Sequence, residues 1–153
     1  MDDRTLVRGI AVMVNDALSG YIETHNEVFK MSAKRLVPIP GVFEAIDFKA
    51  HVEKLVGIED TLSRAGATTA WVLDGSKDAT IRKVLENLQK YAAGLLEAIR
   101  QFRHISEKLY RKSQDPGTYT WSTYQKDLDA YENAVKHCTE IGVELNAAYR
   151  EIR

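Results

Sequence analysis

A single cysteine, Cys138, stands in 153 residues, so no intrachain disulfide is available, and no Cys/His spacing of the zinc-finger kind is present. Prolines number three, two of them one residue apart in the VPIPG stretch of residues 37–41 and the third in Asp115-Pro116-Gly117. Their scarcity elsewhere leaves long stretches in which nothing interrupts a helix. Charge of either sign is balanced: 21 basic and 22 acidic side chains give a formal net charge of -1. No global field therefore draws the chain to nucleic acid or to an acidic membrane. The longest apolar run near the start, GIAVMV from Gly9 to Val14, is far too short to span a bilayer, and it has neither the charged lead nor the cleavage site of a signal peptide. A cytoplasmic protein is expected. Gly-rich phosphate loops, Ser/His/Asp arrangements and HExxH motifs are all missing from the sequence, and with them the common signatures of an enzyme.

What is present is helical periodicity. Ile81, Val84, Leu88, Tyr91, Leu95, Ala98, Phe102, Ile105 and Leu109 advance by threes and fours. A second such stripe runs Trp121, Tyr124, Leu128, Tyr131, Val135, Cys138, Gly142, Leu145, Tyr149 and Ile152. Two more run from Val7 to Val28 through Ile10, Val14, Leu18, Tyr21 and His25, and from Phe48 to Val72 through His51, Leu55, Ile58, Leu62, Ala65 and Thr69. The breaks between them fall at VPIPG, at LDGSKD (residues 73–78) and at QDPGTYT (residues 114–120). Ser76 or Asp78 is placed to cap the third helix, and Ser122 with Gln125 reads as a capping box for the fourth. Asp115-Pro116-Gly117 suits a type II turn.

The expected fold is all-α, one domain over residues 1–153, an antiparallel up-down-up-down four-helix bundle with short connections. Gly57, Gly66 and Thr68-Thr69 weaken the second helix and leave it prone to a kink near Gly66. Residues 76–113 carry nine basic and four acidic side chains, against three and six in 43–75 and four and six in 120–153. A basic third helix between two acidic neighbours agrees with that order.

Several residues are candidates for function. Cys138 occupies a stripe position without the electropositive surroundings that activate a thiol, and reads as a packed core residue. Counting levels from the helix ends brings His25, His51 and His137 to one layer, with Glu97 and Cys138 nearby, and bundle cores of this kind hold metal or haem. That layer defines an alternative, a metal- or haem-binding bundle acting as a sensor; no cofactor is otherwise expected. Glu59 flanks the second stripe at the height of Tyr21, where a carboxylate accepting a tyrosine hydroxyl would meet the cost of burial, or where it would line a small cavity. Arg100, Arg103, His104, Lys108 and Arg111 fall at helical spacing and offer a basic face to a polyanion, which makes a nucleic-acid-associated accessory protein the second alternative. Around Leu6, Ile10, Val12 and Met13 the first helix is apolar more widely than one bundle face requires, and Trp71, Phe43 and Tyr119 could extend that surface. The leading expectation is consequently a non-catalytic interaction, scaffold or adaptor module, bound to another protein or to a second copy of itself.

Overall fold

The computed structural model describes residues 2–34 and 48–153; the VPIPG break and Phe43 lie outside the described residues. Among the described residues there are four long helices and no strand: α1 (Asp3–Lys34), α2 (Phe48–Gly75), α3 (Ala79–Gln114) and α4 (Trp121–Arg150), with a 3-10 turn at Pro116–Thr118. None of these helices is long and apolar enough to cross a membrane.

The helix ends follow local chemistry. Asp78, extended at φ -75° and ψ 117°, opens α3 by accepting from the backbone N–H groups of Thr80 at 2.8 Å and Ile81 at 3.1 Å. Ser76, the other candidate, is buried two residues earlier. Arg82 then reaches back, its Nη1 donating to the carbonyls of Leu73 and Ser76 at 2.7 and 2.9 Å, and so satisfies acceptors that the end of α2 leaves open. The fourth helix is capped by Thr120 and not by Ser122: the Thr120 hydroxyl accepts from the Thr123 N–H at 3.3 Å. The Asp115 side chain accepts from the Gly117 N–H at 3.3 Å, which winds Pro116–Thr118 into a 3-10 turn where a type II turn was expected. α2 is continuous through both Gly57 and Gly66.

Contacts between consecutive helices descend along one as they climb the other. Gly20, Glu23 and Glu27 of α1 meet Ile58, Lys54 and His51 of α2. Tyr91 and Gly94 of α3 meet Gly142 and Cys138 of α4, while Lys108 meets Asp127. α3 is the central element, in contact with each of the other three. Its stripe is the best-buried surface of the molecule: Val84, Leu85, Ile99 and Phe102 are wholly inaccessible. α2 contributes Leu55, Leu62 and Ala65, and α1 contributes Val7, Ile10, Val14 and Val28. α4 is less deeply set. Of its residues only Tyr131, Cys138 and Ala148 are buried, and Trp121, expected in the stripe, is 71% exposed because the Thr120 cap puts it in the first, solvated turn.

The bundle is asymmetric. α1 touches α2 and also α3, α4 touches α3, but among the described residues the backbones of α1 and α4 do not come together. Small residues account for the side on which α4 settles. At Gly94 an added Cβ would lie 3.7 Å from the Cys138 Cα, and at Gly142 it would lie 3.1 Å from the Tyr91 ring. Side chains this small let α3 and α4 approach closely, whereas α4 meets α1 only through long side chains.

Candidate functional site: the groove between α1 and α4

The α1–α4 seam is bridged at one level. The Tyr21 hydroxyl of α1 is hydrogen-bonded to the Tyr131 hydroxyl of α4, and His25 Nδ1 lies 2.6 Å from the same Tyr131 oxygen. The three groups share two hydrogen bonds whichever ring nitrogen of His25 carries the proton. Two tyrosines meeting tip to tip span far more than the 8–10 Å between the axes of directly packed helices. Phe102 of α3 forms the floor, with ring centroids 6.0 Å from Tyr21, 5.7 Å from His25, 5.6 Å from Phe29 and 5.5 Å from Tyr131. Burial pushes the Tyr21 and Tyr131 hydroxyls above the usual phenol range and pushes His25 below the usual imidazole value.

On either side of this bridge the seam opens. One cavity, of about 720 Å³, is walled by Ala11, Val12, Val14 and Leu18 of α1 and by Gly142, Leu145 and Tyr149 of α4, over Leu88 and Tyr91 of α3. Asn15 and Asn146 face it from opposite helices, and Arg8 and Arg153 stand at one end. The second cavity, of about 410 Å³, lies beyond the bridge between His25 and Phe29 of α1 and Leu128, Tyr131 and Val135 of α4, with Glu132 and Lys136 on its rim. Ile22, 46% exposed, stands on α1 between the two. From Ala11 to Phe29 the two cavities extend about 27 Å along α1 at the helical rise.

The histidines do not share a site. Among the described residues no three of His, Cys, Asp and Glu gather in a way that would hold a metal ion. His25 is bound to Tyr131, His51 sits with Nδ1 3.5 Å from the Glu27 carboxylate, and His137 is exposed, as is Glu97. Levels along a bundle are legible from residue counts; the direction in which each side chain points is set by packing.

The neutrality of His25 has a pH signature. Its proton affinity is lowered in the fold because burial disfavours the imidazolium, so the unfolded chain takes up the proton more readily. The stability contribution is complete above the unfolded value of about 6.5 and is lost as pH falls from there through the lower folded value. The groups facing the ring are Tyr21, Phe29, Phe102 and Tyr131, none of them charged near neutrality, while Glu132 and Lys136 share its cavity. Urea midpoints measured between pH 7.5 and 5 are expected to fall in the wild type and to flatten in His25→Phe. Equal slopes would mean that His25 is not the titrating group.

Cys138 is a core residue, 5% exposed. Burial raises its thiol from 9.0 to about 11, an effect that the Tyr91 hydroxyl beside it partly offsets. Two units of that shift mean about a hundredfold less thiolate near neutral pH. Modification by a soluble disulfide reagent at pH 8 is expected to be slower by at least that factor in the folded than in the urea-unfolded chain. Comparable rates would contradict the burial.

The basic face of α3 resolves into two seams. Arg103 donates to Glu59 of α2 and, at 2.7 Å, to Glu107, with Arg100 3.5 Å from Glu59. Lys108 points to α4, donating to Asp127 at 2.7 Å, an acceptor it shares with the Tyr119 hydroxyl, also at 2.7 Å. Arg111 is exposed. Glu59 is thus paired with arginine and not with Tyr21, and it lines neither cavity.

The wide apolar surface of α1 also divides. Ile10 is buried in the core at 2% exposure, which corrects its assignment to an interface, and Leu6 and Met13 are half-buried against that core. Val12, 58% exposed, stands at the groove. Trp71 is exposed on α2, and Tyr119 is buried beside Asp127. The groove residues that sequence reasoning missed are Arg8, Asn15, Asn146 and Arg153; the excess apolar width of α1 was the one signal that led toward them. In comparison with known proteins, no family model, curated protein or solved structure matches this chain.

Proposed function

We propose that this chain is a non-catalytic protein-interaction module, of the scaffold or adaptor kind, that receives a helix of a partner in the groove between α1 and α4. The observation carrying this reading is the asymmetry of the bundle: three helix seams are closed, and the fourth opens into two cavities, one on either side of the Tyr21–Tyr131 bridge, that together run along about five turns of α1. An amphipathic helix laid there would bury its own stripe and that of α1 and α4 together, gaining about 25 cal/mol for each Å² of apolar surface removed from water. The Tyr21–Tyr131 bridge holds the walls apart at a fixed spacing, so little reorganisation is needed before docking.

The histidine layer and the basic face lack comparable support. His25 is engaged by Tyr131, and Arg103 and Lys108 are neutralised by carboxylates. A metal or haem site, or a polyanion track, would first have to break those pairings.

The test is a chemical-shift titration of the labelled protein with helical peptides bearing a leucine stripe. Shifts are expected at Val12, Leu18, Leu128 and Val135, and Val12→Glu, a substitution on the rim, is expected to weaken binding without lowering stability. Shifts confined to the exposed face of α2 around Val56 and Trp71 would refute the groove as the docking site.

A further inference from the structure

We infer that the helix received by this groove is acidic, its carboxylates lying against the end of the trough marked by Arg8 and Arg153. This inference rests on the groove being the docking site and adds the chemistry of its occupant.

The charge distribution carries it. Most basic side chains that face a helix seam are paired: Lys54 with Glu23, Arg103 with Glu59 and Glu107, Lys108 with Asp127, Lys83 with Glu151. Arg8 and Arg153 depart from that rule. Both line the larger cavity, and among the described residues neither has a carboxylate within salt-bridge distance, while no aspartate or glutamate lines that cavity at all. Arg4 lies one turn before Arg8 on α1, and Arg150 closes α4 three residues before Arg153; both are exposed and lie outside the lining of the cavity. Two arginines, one on α1 and one just past the end of α4, therefore stand at one end of the trough in a chain whose net charge is only -1.

Two arginines beside an apolar wall select for a ligand that is apolar on one side and anionic on the other. The length favours a helix over a small amphiphile, because the two cavities together cover about 27 Å of α1, which matches roughly 18 helical residues. Asn15 and Asn146, facing each other across the cavity, supply donors and acceptors that suit a polar flank or exposed backbone end of such a helix.

The experiment uses two 18-residue amphipathic peptides with the same leucine stripe, one flanked by glutamate and the other by lysine. Binding to the full chain is measured by fluorescence anisotropy at low salt and again near 1 M salt. The glutamate peptide is expected to bind on the order of tenfold more tightly at low salt, with the preference fading as salt screens it. Arg8→Glu combined with Arg153→Glu is expected to reverse the preference, and Arg4→Glu with Arg150→Glu to reduce it; thermal melts establish that each variant is folded. Equal binding of the two peptides, or tighter binding of the lysine peptide, would overturn the acidic assignment and leave the groove as a helix site. Binding of neither peptide would overturn both, and light scattering and dodecanoate titration would then distinguish a second copy of the chain from a small anionic amphiphile as the occupant.

Discussion

Phe102→Ala is expected to cost about 4 kcal/mol of unfolding free energy, enough to bring the protein close to the limit of folding. Phe102 is fully inaccessible and sits where α3 meets both walls of the groove. Its ring lies within 6.0 Å, centroid to centroid, of Tyr21, His25, Phe29 and Tyr131. Truncation removes the transfer free energy of a large side chain, leaves a cavity that rigid neighbouring rings fill poorly, and forfeits edge and stacking contacts worth about 0.5–1.5 kcal/mol each. The loss is not only thermodynamic. Without the floor, the Tyr21–Tyr131 bridge has nothing to hold it at its level, and the spacing of α1 from α4 is expected to loosen before the rest of the bundle does. Urea unfolding followed by circular dichroism gives the total cost, and hydrogen exchange locates it, with α4 amides near Tyr131 expected to exchange sooner than those of α2. Leu128→Ala, at a half-buried groove position, serves as the control and is expected to cost about 1 kcal/mol. A Phe102→Ala cost no larger than that of the control would show that the ring cluster is not what organises this end of the molecule.

The helices were legible in the sequence because each buries a stripe against a common interior, and a buried stripe has to repeat at the helical period. α3 was the clearest, since neighbours surround it and its pattern runs from Ile81 to Leu109 without a miss. Trp121 fits the period of α4 arithmetically, yet periodicity carries no information about where a helix begins; the hydroxyl of Thr120 decides that. The dispersal of the three histidines and of the basic face has one physical source. Residue counting gives height along a helix, whereas contact depends equally on the angle around it. Arg103 and Lys108 are five residues apart and so about 140° apart around the axis, which sends one to α2 and the other to α4. The groove itself was half legible. An excess of apolar residues on α1 signalled a surface that wanted cover, but which of them were core and which were rim depended on α4 packing against α3 through Gly94 and Gly142 instead of closing onto α1.

Removing the Glu59 carboxylate is expected to destabilise the protein by about 2–3 kcal/mol in Glu59→Leu, because Arg103 is left at a helix interface without its main acceptor. The Glu59 side chain is 11% exposed and accepts from two nitrogens of Arg103, one of them Nη2 at 3.2 Å, with Arg100 Nε at 3.5 Å. The carboxylate beside it holds the Arg103 guanidinium even further above neutral pH than usual, so that cation does not escape by losing its proton. Water reaches Arg103, which is 28% exposed, and Glu107 retains one of its N–H groups, which together keep the cost below that of a fully buried charge. Arg103→Met alone strands the opposite charge and is expected to cost a similar amount, while Glu59→Leu with Arg103→Met is expected to recover most of the loss by replacing the pair with apolar contact. The double-mutant cycle measures their coupling directly, with at least 1 kcal/mol anticipated and little change in 1 M salt because the pair is shielded. Additive single effects would mean that water, not Glu59, balances Arg103. The pair also fixes α2 on α3, and through them the block against which α1 rests, so the same variants are expected to leave peptide binding in the groove unchanged wherever the protein remains folded.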